Sequence, residues 1–190
     1  MTELNQHYQH MRRLYPRDKL IILFDIDGTI LDMRYMVWRL LKSYDQLHQT
    51  DYFTSLSVAD INVSENQLLP LLVALRIPAE QQQQIMAWFE QHAWSSVAML
   101  EAHRPFQGVL EVIRWFQLRP DTYVGLNTAR PESLRHETVR SLNNLGREYK
   151  VDFAAKLLYM RPDDWAEPAP QAKAAGIRYF QQLGYRVFAS

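Results

Sequence analysis

The sequence predicts an α/β protein in which a parallel β-sheet is covered by helices on both faces. Short apolar runs rich in strand-forming residues recur along the chain, and the clearest is Leu-Ile-Ile-Leu-Phe over 20–24. Segments with apolar residues at helical spacing separate these runs, for example over 109–116. Strands that alternate with helices favour parallel pairing through right-handed crossovers.

The composition is that of a globular chain able to bury a core, with 47% hydrophobic and 22% charged residues among 190. Lys+Arg and Asp+Glu number 21 each, so the net charge is zero and nucleic acid is not an expected partner, except as a locally bound phosphorylated end. No cysteine, signal sequence or membrane-length apolar run is present, which favours a cytoplasmic protein. Sequence does not separate exposed apolar patches from core, so it predicts no oligomeric state.

The individual elements follow from local patterns. A leading helix over 2–15 ends at Pro16, and Pro131 is expected in the first turn of a later helix. The predicted strands are 20–25, 122–126, 153–159 and 186–189, and the predicted helices between them are 109–116, 134–145 and 174–180.

One long stretch breaks the alternation of strands and helices. Helical periodicity alone continues from 33 to 103, and Ser64 with Gln67 resembles a capping box inside it. This stretch is too long for a crossover loop. We therefore expect an all-helical insert over 33–103, and an α/β core made of 1–32 and 104–190.

An acidic motif follows the first strand directly. The chain reads Phe-Asp-Ile-Asp-Gly-Thr over 24–29, and parallel sheets bind ligands at the carboxyl ends of their strands. Two carboxylates this close repel unless a divalent cation or a shared proton lies between them. Gly28 permits a tight turn near a ligand. A nucleophilic Asp25 beside a proton-transferring Asp27 meets the requirement for an acyl-phosphate mechanism.

This motif resembles the first motif of the haloacid dehalogenase-like superfamily, Asp-x-Asp-x-Thr after the first strand. The resemblance implies a Rossmann-like core with a small all-helical cap. The stretch Thr-Tyr-Val-Gly-Leu-Asn-Thr-Ala-Arg over 122–130 is similar to the second family motif. By this resemblance Thr128 hydrogen-bonds the transferring phosphoryl oxygen and Arg130 contacts substrate or phosphate. The other expected phosphate-binding residues are Gly28, Thr29 and Ala129.

The third family motif is a lysine that binds the nucleophile and the phosphate. Lys173, in Pro-Gln-Ala-Lys at the start of the last helix, is the expected match. Lys156 is the alternative, but it lies inside a predicted strand, where a lysine usually marks an edge. Residues 103–110 resemble the re-entry that follows a cap inserted after the first motif. The similarity covers nearly the whole chain, and the first motif is its most specific part.

The fourth family motif is missing from this sequence. In the family it is one or two acids after the fourth strand that complete a Mg²⁺ shell, whereas residues 184–190 read Gly-Tyr-Arg-Val-Phe-Ala-Ser. Asp163 and Asp164 precede Lys173 and are interpreted as a loop or helix-start pair. Either the enzyme is longer than this chain or its metal site is incomplete. Asp25 and Asp27, with water, are the expected ligands of a weakly held Mg²⁺.

Two further arginines complete the expected site. Arg34 enters the insert directly after the first motif and could face substrate, and Arg161 could hold a second anionic group. The resemblance as a whole implies a Mg²⁺-dependent phosphomonoester hydrolase acting through an aspartyl phosphate on a small phosphorylated metabolite. The alternatives are a phosphomutase or a polynucleotide-end phosphatase of the same superfamily, or a non-catalytic phosphate-binding module. The insert is expected to select the substrate, which the sequence does not identify.

Overall fold

The structure, a computed structural model, describes residues 2–62, 67–165 and 169–190. The chain forms two compact units, which we call the core unit (Met1–Ile30 and Pro105–Ser190) and the insert unit (Leu31–Arg104). The boundaries expected from the sequence are 32/33 and 103/104. Ser64, expected to cap a helix, lies outside the described residues.

Helices and strands follow one another in the order that the apolar patterns predict. The core unit contains α1 (Thr2–Leu14), β1 (Leu20–Phe24), α6 (Val109–Gln117), β2 (Thr122–Pro131), α7 (Arg135–Gly146), β3 (Leu158–Arg161), α8 (Ala169–Gln182) and β4 (Arg186–Ala189). The insert unit contains α2 (Arg34–His48), α3 (Leu68–Ala74), α4 (Ala79–His92) and α5 (Ser96–Glu101).

The four strands form one parallel sheet in the order β3-β2-β1-β4. This confirms the predicted α/β class. The β1–β2 register runs from Leu20 opposite Thr122 to Phe24 opposite Leu126. Asp25 and Asn127 are therefore the next residues along their strands, at the same level of the sheet edge. Because paired residues of parallel strands point to the same face, their side chains share one face of the sheet.

The two faces of the sheet have separate apolar cores. On one face, Phe180 of α8 packs on Ile21 and Leu23 of β1, and all three side chains are buried. On the other face, the ring of Tyr8 of α1 packs edge-on against Phe116 of α6 and at a tilt against Phe188 of β4. Strand alternation produces this division, since odd and even positions of β1 point to opposite sides.

The insert unit has its own apolar core. Helix α2 buries residues at helical spacing, among them Val37, Leu41 and Tyr44, and helix α4 buries Ile85 and Phe89. None of the described helices in either unit is both long and apolar enough to cross a membrane.

Two differences from the predicted boundaries have a clear physical cause. Strand β3 begins at Leu158, not at residue 153, because Asn143 holds the backbone of Phe153: its side chain accepts the Phe153 N–H (2.7 Å) and donates to the Phe153 carbonyl (3.2 Å). A 3₁₀ turn over Ala155–Leu157 then precedes the strand. Pro131 is the last residue of β2, where it pairs with Arg161 of β3, and it also caps the 3₁₀ turn Glu132–Leu134 that leads into α7, so it stands directly before the first helical turn and not inside it.

Candidate active site

The first acidic motif forms a tight turn at the carboxyl end of β1. Ile26 and Ile30 are fully buried, and the Ile30 N–H donates to the Ile26 carbonyl (2.9 Å). Gly28 has φ of 75°, and a Cβ there would meet no atom within 4 Å, so the left-handed conformation and not a lack of space favours glycine. This turn leaves Asp25 and Asp27 half-buried at the sheet edge.

Lys173, in the second turn of α8, forms an ion pair with Asp25. Its Nζ contacts Oδ2 of the carboxylate, and Oδ1 accepts the Ile26 N–H (2.8 Å). The Lys173 side chain is 38% exposed and that of Asp25 28%. Lys156, the alternative lysine, is exposed in the 3₁₀ turn before β3. Of the two candidates, Lys173 is the one that contacts Asp25.

Arg130 forms a second ion pair, with Asp27. Its Nε donates to Oδ2 (2.8 Å) and its Nη2 to Oδ1 (2.6 Å), a two-bond geometry that fixes the carboxylate. Nη1 donates to the hydroxyl of Thr138 in α7 (3.2 Å), which is fully buried. The Arg130 side chain is only 1% exposed. The guanidinium expected at the substrate is thus directed at Asp27, deep beneath the edge of the sheet.

Thr128 lies near the end of β2 and is buried, with 1% of its surface exposed. Its Oγ1 accepts the Arg130 N–H (3.2 Å), so the hydroxyl proton stays available for donation to another group. Ala129 is half-buried, and Thr29, which follows Gly28 in the first motif, is exposed. Thr128 and Ala129 thus lie in the last part of β2 and Thr29 follows β1, and these two strands are neighbours in the sheet.

Arg34 belongs to the insert unit and pairs there with Asp32. Its Nε donates to Oδ1 (2.8 Å) and its Nη2 to Oδ2 (2.6 Å). These hydrogen bonds lower the pKa of the Asp32 carboxyl, which is almost fully buried. Arg34 thus has a structural partner at the N-terminal end of α2. The expected contact of Arg34 with substrate stays a prediction.

Arg161 and the acidic pair after it occupy the end of β3. Arg161 is half-buried opposite Pro131. Asp163 accepts the N–H (3.0 Å) and the hydroxyl (2.8 Å) of Ser133, and these bonds lower the pKa of its carboxyl. Asp163, in the turn after β3, thus caps the 3₁₀ turn Glu132–Leu134 before α7.

Asn127 is a functional candidate that the sequence reasoning missed. It is buried beside Asp25 at the sheet edge, and its Nδ2 donates to the backbone carbonyl of Lys173 (2.8 Å). A cavity of about 300 Å³ is lined by Leu23, Asp25, Asn127, Lys173, Ile177 and Ser190. One signal was available: a polar amide at the end of an apolar strand must find a hydrogen-bond partner when it is buried.

The oxygen donors at this edge fit Mg²⁺ in kind. Mg²⁺ prefers oxygen ligands and keeps several of its waters. The Asp25 carboxylate and the main-chain carbonyl of Asp27 are such donors, and Nε and Nη2 of Arg130 donate to the side-chain oxygens of Asp27. Across residues 2–62, 67–165 and 169–190, no three His, Cys, Asp or Glu side chains are grouped to hold a metal ion. The described part of the chain therefore offers a partial ligand set.

The solved structures that resemble this chain include two proteins named as phosphatases. A "putative phosphatase" from Clostridium difficile covers 88% of this chain and 71% of its own length, with a TM-score of 0.52 and 13% identity. A "putative phosphoglycolate phosphatase" from Lactobacillus plantarum covers 90% and 76%, with a TM-score of 0.47 and 13% identity. No family model and no curated protein matches the sequence. The chain thus has the α/β fold of the first structure, which confirms the fold that the haloacid dehalogenase-like resemblance implies.

Proposed function

We propose that this chain is a phosphomonoester hydrolase of the haloacid dehalogenase-like superfamily, acting through an aspartyl phosphate on a small phosphorylated metabolite. The observation that carries the proposal is the contact of Asp25, at the carboxyl end of β1, with Lys173 of α8. An ammonium group beside a carboxylate nucleophile offsets the repulsion between that carboxylate and an anionic phosphate. The shared fold with a protein named as a phosphatase is consistent with this role.

The reaction proceeds in two displacements at phosphorus. An Asp25 oxygen forms a bond to phosphorus while the bond to the leaving oxygen breaks, and Asp27 gives that oxygen a proton. A water molecule then gives a proton to Asp27 and attacks phosphorus, which breaks the bond to Asp25 and releases phosphate. Arg130 orients Asp27 in both steps through its two hydrogen bonds.

Other residues at the same edge bind the transferring group. The Thr128 hydroxyl donates to one phosphoryl oxygen, and Lys173 stays close to the negative charge that develops. We assign the remaining oxygens to the backbone N–H groups of Gly28 and Ala129, since the Thr29 N–H already donates to the Ile26 carbonyl (3.4 Å). Mg²⁺, when bound, supplies positive charge beside the phosphoryl group, and the Asp25 carboxylate and Asp27 carbonyl would hold it.

Substrate selection is assigned to the insert unit, which serves as the cap. In sequence its described helices lie between β1 and α6 and belong to a separate compact unit, and in the family a cap follows the first motif at this point. Arg161, at the end of β3, holds a second anionic group of the substrate where one is present. A small phosphorylated metabolite fits the zero net charge better than a nucleic acid does.

The test is phosphate release from a panel of aryl and alkyl phosphates, with Mg²⁺ and with EDTA. Asp25→Asn removes the nucleophile, and we expect it to lower the rate by at least about 10³-fold without changing the fold. Asp164→Asn is the matched control, because Asp164 is an exposed carboxylate, and it should retain the wild-type rate. Full activity in Asp25→Asn, or no release by the wild type from any substrate, would overturn the proposal.

A further inference from the structure

The last helix is tied to the sheet by a hydrogen bond at Lys173 itself. Asn127 of β2 is buried, and its Nδ2 donates to the main-chain carbonyl of Lys173 (2.8 Å). The same lysine extends its side chain to Asp25. One residue of the second strand thus holds the backbone of the residue whose side chain contacts the first strand.

Gly176, one turn further along α8, makes this contact sterically possible. A Cβ at Gly176 would lie 2.1 Å from Oδ1 and 2.6 Å from Cγ of Asn127. Any other residue would push the amide away or lift the helix from the sheet. Glycine is a poor residue for a helix interior, so its presence here is explained by the close approach and not by helix propensity.

The Lys173–Asp25 ion pair is too exposed to place the lysine alone. The Lys173 side chain is 38% exposed, and a lysine is a point charge on a flexible stem of four carbons. Partly exposed ion pairs hold their side chains weakly. Where the ammonium group lies therefore depends chiefly on where the backbone of α8 is fixed, and Asn127 fixes it at Lys173.

We propose that Asn127 is a positioning residue of the active site. Gly176, which has no Cβ, leaves room on α8 for the Asn127 side chain. Asn127 acts through Lys173 by holding the second turn of α8 at the depth where the Lys173 ammonium group meets Asp25. The inference rests on the proposed function, because it assigns Asn127 a role in phosphoryl transfer at the same site.

Asn143 provides a matched control. It too is an asparagine of the core unit whose amide holds a backbone segment, through two hydrogen bonds to Phe153 in the loop before β3. Asn143→Ala and Asn127→Ala each remove hydrogen bonds from a side chain to the backbone of another segment. Both variants should therefore have a lower Tm than the wild type. The proposed role predicts that only Asn127→Ala alters the chemistry at Asp25.

The first measurement is steady-state phosphate release from an aryl phosphate. We expect Asn127→Ala to lower kcat by about 10- to 100-fold, the effect of displacing a reacting group by about 1 Å, and to change KM much less. Asn143→Ala should change kcat by less than about threefold. In a Lys173→Met background Asn127→Ala should have almost no further effect, because its partner in catalysis is already gone. Equal losses in the two alanine variants, or an undiminished loss in the Lys173→Met background, would overturn the proposal.

The second measurement does not require turnover. The Lys173 ammonium group in an ion pair reacts slowly with acetic anhydride, and brief acetylation followed by mass spectrometry gives a rate for each lysine. Asn127→Ala and Gly176→Ala should each raise the rate at Lys173 severalfold and leave Lys150 unchanged, whereas Asn143→Ala should change neither. An unchanged rate at Lys173 would overturn the positioning role even in an active enzyme. An increased rate in a chain without phosphatase activity would support it while the proposed function fails.

Discussion

Replacing Arg130 tests the buried ion pair beneath the site. Its side chain is 1% exposed, and two of its nitrogens donate to Asp27, which is 16% exposed. Arg130→Met retains most of the apolar stem but leaves both Asp27 oxygens without their cation. Removing one partner of a buried pair costs about 3–5 kcal/mol. Since Asp27 keeps some contact with water, we expect the lower end, and a loss of about 3 kcal/mol lowers Tm by about 6–12 °C in a chain of this size.

Thermal unfolding followed by circular dichroism measures this loss, and a double-mutant cycle identifies its origin. Asp27→Asn alone should also destabilise, because residue 27 then offers the buried guanidinium one neutral acceptor oxygen in place of two charged ones. The double variant should cost less than the sum of the two single changes by about 2 kcal/mol. Asp18→Asn is the control: Asp18 pairs with Arg186 at 2.6 Å, both about two-fifths exposed, and such pairs contribute at most about 1 kcal/mol. Strict additivity, or an Arg130→Met variant as stable as Asp18→Asn, would refute the reasoning.

Two further predictions concern the stability of each unit. Because hydrogen bonds from Arg34 hold the pKa of Asp32 below its usual value of 3.8, the stability from this pair is present above that pH and is lost as the pH falls through the folded-state pKa. Asp32→Asn should therefore lower Tm at pH 7, by an amount corresponding to about 1 kcal/mol, and the difference from the wild type should shrink by pH 3. Gly125→Ala puts a Cβ 2.7 Å from Leu23 Cδ2 and 2.9 Å from Ile21 Cδ1, and urea unfolding should show a loss of about 1–3 kcal/mol. Combining Gly125→Ala with Leu23→Val should recover part of the lost stability. A Gly125→Ala variant as stable as the wild type would contradict the predicted steric clash at position 125.

The order of elements in the core unit could be predicted because each depends on local pattern. The five apolar residues of β1 are bounded by Lys19 and Asp25 and are too few for a helix, and the apolar residues of α6 recur at helical spacing. The start of β3 was predicted wrongly because the amide of Asn143, ten residues earlier, holds Phe153 in a loop. A hydrogen bond from a side chain to a distant backbone segment leaves no periodic signal, so boundaries set in this way require a structure.

Residues of the site could be predicted where a motif marks a strand end, as at Asp25, Asp27 and Thr128. The residues that pair with these side chains could not be predicted in this way. Arg130 is 103 positions from Asp27 in sequence, and its place next to Thr128 favoured a substrate contact as much as an internal one. Only the parallel pairing of β1 with β2 brings that guanidinium to Asp27. Asn127 was overlooked for a similar reason, since its partner is a backbone carbonyl of α8, which sequence does not display.

The two ion pairs at the sheet edge differ in solvent exposure, and this difference gives Lys173 and Arg130 different roles. Each motif carboxylate has one cation from another element, Lys173 for Asp25 and Arg130 for Asp27. The exposed fraction is 38% for Lys173 but 1% for Arg130. An anionic phosphate that enters from solvent can exchange for Asp25 as a partner of Lys173 at little cost, because a partly exposed pair is weak. The same exchange at Arg130 would uncover a buried charge and break its bond to Thr138. Under the proposed function, Lys173 therefore follows the phosphoryl group through the reaction, while Arg130 stays in place as part of the scaffold that holds Asp27.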